Sequence, residues 1–333
     1  MLFICVTYIA YKIKMINIAD KLINNIIKTK NPTVVGLDPD LSKIPLCYLK
    51  GNFEGNKLEK VAGAIYEYNK DIIDTVFEYV PAVKPQMAFY EKYGSFGVRA
   101  FEKTVKYALE KGLVVIEDGK RNDIGNTALA YAKGHLGKVE TLDNELIESF
   151  NVDFLTISPF LGSESLEPFI NECVKSNKGV FILVKTSNKS AGEIQDVVMN
   201  NEKTVSENLA CYVNDKANCF YGEYGYSSIG AVVGATYPED AKALRKLMPR
   251  SFFLVPGYGV QGGSALDIVA CFNSDGLGAI VNSSRGILYS HLSKYEKENI
   301  TKREYLQKVL KETKKMQKDI YACLLENCKD ILY

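Results

Sequence analysis

The chain has 333 residues, with 41 Lys and Arg against 40 Asp and Glu, so no net field draws it to nucleic acid or to an anionic membrane, and any anion site has to be local. Hydrophobic residues make up 47% and charged residues 24%, which excludes a disordered or fibrous chain and supplies a substantial core. Only two histidines occur, His135 and His291, leaving little for a His-rich metal centre or a Ser-His-Asp triad, and the eight cysteines lack paired spacing and read as reduced, mostly structural thiols of a cytoplasmic protein.

In chain order, residues 1–15 form an N-terminal extension. Met1 to Ala10 is apolar, but it lacks a basic leader and is too short to span a bilayer. The barrel domain is expected over 16–333 and opens on an amphipathic stretch with Ile16, Ile18, Leu22 and Ile26 at helical spacing. From residue 33 onward, short β-branched and apolar runs alternate with longer amphipathic ones, the pattern of repeated βα units. The strand runs are TVVGLD from 33, PAVKPQ from 81, LVVIED from 113, VDFLTI from 152, VFILVK from 180, IGAVVG from 229, FFLVPG from 252 and GAIVNS from 278. Helical patterns between them include EKVAGAIYEYNKDIIDTVFEYV, VRAFEKTVKYALEKG and PEDAKALRKLMP, the last with Pro238 near its first helical position.

Eight strands with intervening helices predict an α/β fold, a single-domain (β/α)8 TIM barrel. An open doubly wound sheet is the alternative, although no Gly-rich dinucleotide fingerprint follows the first strand. Two stretches exceed a minimal barrel: 191–228, read as an insertion plus a helix between strands five and six, and the tail from Lys294, read as a C-terminal helix covering the barrel.

In a parallel barrel the carboxyl ends of the strands converge on one face. Strand one here ends in Asp38, strand two carries Lys84, strand three ends in Asp118-Gly119-Lys120 followed by Asp123, and strand five ends in Lys185-Thr186-Ser187. Asp118 and Lys120, two apart, share the barrel mouth if extended geometry persists to Lys120. Lys84 lies in an apolar run where an unpaired ammonium is costly, and Asp118 is its expected partner. The loops PGYGVQGG (256–263) and NSSRG (282–286) follow strands seven and eight, where barrels often bind phosphate; Arg285 offers a bidentate grip and Gln261 a neutral donor.

The segment DGKRND at 118–123 resembles the D-x-K-x-x-D signature of the orotidine 5′-phosphate decarboxylase family. GLDPD at 36–40, VKPQMAFYE at 83–91, TISPFLG at 156–162, VKTSN at 184–188 and PGYGVQGG at 256–263 are similar to its bacterial long-chain branch, so that the resemblance spans roughly residues 16–320. It implies a cofactor-free and metal-free decarboxylase converting orotidine 5′-monophosphate to uridine 5′-monophosphate in the last step of UMP biosynthesis. It further implies a charged catalytic array of Lys84, Asp118, Lys120 and Asp123, with Lys120 protonating carbon six. Asp123 and Thr127 would reach the neighbouring subunit's site in a homodimer. Asp38 and Gln86 would bind ribose, Thr186 and Ser187 the pyrimidine, and Gln261 and Arg285 the phosphate, with Tyr258 beside them.

Three other readings stay open on the residues: a Mg²⁺-dependent sugar-phosphate decarboxylase on the same barrel, a Schiff-base aldolase using Lys84, Lys120 or Lys185, and a catalytically silent nucleotide-binding barrel.

Overall fold

The computed structural model describes residues 17–259, 262–294, 300–328 and 331. The expected extension at 1–15, Ile16 and Gln261 lie outside them. Among the described residues there are ten strands: β1 Thr33–Leu37, β2 Ala82–Pro85, β3 Val114–Arg121, β4 Lys138–Glu140, β5 Leu146–Glu148, β6 Phe154–Ile157, β7 Gly179–Lys185, β8 Ser227–Val233, β9 Ser251–Val255 and β10 Ala279–Ser283. Eight close into a barrel in the order β1-β10-β9-β8-β7-β6-β3-β2, and β4 pairs with β5 as a separate antiparallel hairpin. All eight barrel strands are the predicted ones, and the closed ring sets aside the doubly wound alternative.

Alternation along the strands divides the apolar residues into two shells. Val34, Ala82, Val114, Ile116, Phe154, Phe181, Phe252 and Ile280 point inward and pack together. Val35, Leu37, Val115, Ile157, Val184 and Val281 point outward against the helices. The helix Ile18–Thr29 buries Ile18, Leu22, Ile23 and Ile26 in the inner shell, closing the amino-terminal end of the barrel. Its seat is fixed by Asn25, which donates to the carbonyls of Pro81 and Gly112, and by buried Asp20, which accepts from the Glu223 and Tyr224 amides.

Outside the ring, the helix Lys57–Val76 starts on a capping box made by Asn56 and Glu59 and packs against the helix Gly94–Glu110. The 191–228 stretch holds the short helix Gly192–Gln195 and then the barrel helix Val205–Ala217, as expected. The tail forms the helix Lys302–Asn327, which lies against Lys57–Val76 and the carboxyl-end segment Arg285–Leu288. The β4–β5 hairpin is a third elaboration that the sequence reading missed. Its strands are three residues each and mostly exposed, so they carry no run of buried β-branched residues to signal them.

Candidate active site

The carboxyl ends of the strands surround a cavity of about 350 Å³ lined by Asp38, Lys84, Gln86, Asp118, Lys120, Thr186, Ser187, Tyr258 and Arg285, together with Thr156, Asn188, Asn282 and Ser284. That volume falls in the range of small-ligand sites. Lys84 Nζ contacts Asp118 Oδ2 at 2.7 Å, and Lys120 Nζ contacts Asp118 Oδ1, so that one carboxylate bridges two ammonium groups.

Burial pushes the Asp118 carboxyl up, but Lys84 and Lys120 outweigh it and hold the group well below the usual carboxylate range. Burial opposes the charge on Lys84, yet Asp118 and Asp38 raise its affinity for the proton above the ordinary lysine value. Asp38 shows the opposite balance: burial dominates over Lys84 and its carboxyl is raised. One oxygen of Asp38 and the side-chain oxygen of Asn282, two residues that line the cavity, are buried without a hydrogen-bond partner. Gly36 is required beneath them, because a Cβ there would lie 1.8 Å from Ser284 Oγ.

The path by which Lys120 reaches the mouth differs from the expected one. Extended geometry does not persist: Lys120 has φ 47°, in the left-handed region, a conformation costing a residue with a side chain about 1–2 kcal/mol. The β3–β6 register shifts at the same point, with Glu117 opposite Leu155 and Arg121 opposite Ile157. Residues 118–120 therefore stand against Thr156 alone, and the bulge, rather than plain alternation, brings Lys120 onto Asp118.

Gln86 lines the cavity while its Oε1 accepts from the Ala88 amide, fixing the turn after β2. The Thr186 hydroxyl accepts from Gln195 Nε2 (2.9 Å) and donates to Asn188 Oδ1 (2.6 Å). Lys185 points away from the cavity. It pairs with Asp196 and with Asp240 at 3.0 Å, beneath the Tyr237 ring. Arg285 opens the short helix Arg285–Leu288 beside the Gly257 and Tyr258 turn.

Asp123 and Thr127 are not brought into this cavity. Asp123 accepts from the adjacent Ile124 amide, and Thr127 is exposed on the helix Gly125–His135. The same loop and helix expose Ile124, Leu129 and Tyr131, and the turn after β6 exposes Phe160 and Leu161. Sequence reading missed Thr156, Asn188, Asn282 and Ser284, although all four sit within the motifs TISPFLG, VKTSN and NSSRG.

A family model described as orotidine 5′-phosphate decarboxylase / HUMPS matches residues 33–300. The orotidine 5′-phosphate decarboxylase of Rhodopirellula baltica is 44% identical over 277 residues, covering 83% of this chain and 90% of that one. That of Caldicellulosiruptor saccharolyticus is 40% identical over 294 residues, covering 88% and 95%. The solved OMP decarboxylase of Leishmania donovani superposes with a TM-score of 0.68 at 27% identity, covering 93% of this chain and 99% of that structure. With the charged array on one carboxylate and a match spanning most of the barrel, this chain belongs to the orotidine 5′-phosphate decarboxylase / HUMPS family.

Proposed function

We propose that this chain is an orotidine 5′-monophosphate decarboxylase that forms uridine 5′-monophosphate and CO₂, the last step of UMP biosynthesis, with no metal or organic cofactor. The observation that carries this reading is the Lys84–Asp118–Lys120 array inside a cavity whose far wall holds Tyr258 and Arg285. The bond between carbon six and the carboxylate breaks, its electron pair stays on carbon six in the ring plane, and CO₂ departs. No adjacent carbonyl delocalises that pair, so stabilisation has to come from preorganised charge. Lys120 supplies the cation and then the proton. Asp118, ionised between two ammonium groups, orients Lys120 and stands against the substrate carboxylate.

Asp38 and Gln86 are assigned to ribose, Arg285 with Gln261 and Tyr258 to phosphate, and Ser187 to the pyrimidine, with Thr186 held as part of the wall by Gln195 and Asn188. Asp123 and Thr127 are assigned to the site of a second copy. The exposed apolar residues on their loop and helix support a homodimer through this face. Among the described residues no helix is long and apolar enough to cross a membrane, and no described cysteine forms a disulfide.

A Schiff base needs a neutral amine in reach of the substrate. Lys84 is held charged, and Lys185 is both charged and turned away, which disfavours these two as Schiff-base lysines; borohydride trapping with substrate tests Lys120. Relatives at 40–44% identity named for orotidine 5′-phosphate favour it over a sugar phosphate. The test is the ultraviolet absorbance change of orotidine 5′-monophosphate in EDTA, with wild type beside Lys120→Ala. Conversion by wild type alone is expected; no conversion by either would bring forward the sugar-phosphate and silent-barrel readings, which a sugar-phosphate substrate with added Mg²⁺ then separates.

A further inference from the structure

Lysine seldom occupies the left-handed region, and something has to hold Lys120 there. The β3–β6 register shows what stands opposite: Thr156, facing the three residues Asp118, Gly119 and Lys120 where a regular ladder would place one. Its hydroxyl accepts from the Lys120 amide at 3.0 Å and donates to Asp118 Oδ1 at 3.1 Å. Thr156 is itself almost wholly buried, 1% exposed, so neither bond is readily exchanged for water. One side chain thus holds the backbone of one member of the array and the carboxylate of the other.

We infer that Thr156 is a positioning residue for the decarboxylation: its hydroxyl replaces the ladder bond lost at the bulge and sets the Lys120 ammonium on Asp118. The inference rests on the decarboxylase reading for its kinetic consequence, but its geometric content stands independently. Valine has nearly the shape of threonine and lacks the hydroxyl, whereas serine keeps the hydroxyl and lacks the methyl group, so the pair separates hydrogen bonding from packing.

In Thr156→Val, kcat for orotidine 5′-monophosphate is expected to fall about 10- to 100-fold, the loss typical of a misaligned catalytic group. KM and the dissociation constant of uridine 5′-monophosphate are expected to stay within about threefold, because binding draws on other walls of the cavity. Thr156→Ser is expected to retain kcat within about threefold. Equal losses in both variants, or a valine variant with full kcat, would overturn the proposal. Crystal structures of the two variants give the readout that does not depend on turnover: Lys120 is expected to leave the left-handed region in the valine variant and to keep it in the serine variant. An unchanged Lys120 backbone in Thr156→Val would also overturn it, even if the wild type failed to turn over the nucleotide and the decarboxylase reading fell separately. Should the valine variant not fold, Thr156→Ala compared with Thr156→Ser puts the same question, and the same outcomes decide it.

Discussion

Lys84 and Lys120 hold the same carboxylate in different surroundings: the Lys84 side chain is 5% exposed and that of Lys120 47%. Stripping a buried ion pair of one partner costs about 3–5 kcal/mol, whereas a solvent-exposed pair contributes about 0–1 kcal/mol. Lys84→Met is therefore expected to lower both folding stability and turnover, and Lys120→Met turnover alone. Urea unfolding beside the decarboxylation assay checks this, and equal stability losses in the two variants would contradict it. At this scale much of the site was legible, because charged residues at strand ends have few places to point but the barrel mouth: Asp38, Lys84, Asp118 and Arg285 all line the cavity as expected. The conformation of Lys120 was not legible. Alternation reached the right destination by the wrong path, since a bulge depends on which partner faces the strand, and a single sequence does not show that partner. Thr156, Asn282 and Ser284 escaped notice because a small polar residue at a strand end looks the same whether it binds, caps or merely fills.

Among the elements, the helices Lys57–Val76 and Gly94–Glu110 are joined through Asp74, which accepts from Tyr107 Oη at 2.6 Å and Lys70 Nζ at 3.0 Å and pairs with Lys111 at 2.6 Å. Burial pushes its carboxyl up, but these donors outweigh it and bring it from 3.8 down to about 2. A folded-state value below the unfolded one gives a contribution to stability that is present above the unfolded value and lost as pH falls toward the folded one. Wild type is expected to lose more stability than Asp74→Asn between about pH 5 and pH 2, as followed by urea midpoints. Parallel pH dependences would remove Asp74 from the account. These helices were readable because their apolar residues recur at the helical period. The β4–β5 hairpin was not, because its residues Leu142, Leu146 and Ile147 are exposed and obey no burial pattern within the chain.

For the molecule as a whole, the position of Asp123 and Thr127 outside the cavity makes a prediction about stoichiometry. If each site borrows them from a second copy, Lys120→Ala and Asp123→Ala, each inactive alone, are expected to recover activity when mixed after co-refolding. Random pairing leaves about a quarter of the sites intact. No recovery, with mixed dimers verified by mass, would confine each site to one chain. The helix Ile18–Thr29 carries a different consequence. By stoppering the amino-terminal end of the barrel it leaves, among the described residues, the carboxyl-end rim as the doorway to the chemistry. Nucleotide entry, escape of the gas, departure of the product and reloading of Lys120 with a proton all have to pass the same rim in turn. Under the proposed reaction the enzyme is a one-ended reactor: the proton given to carbon six is loaded before the substrate arrives, and the next is fetched only after the product has gone.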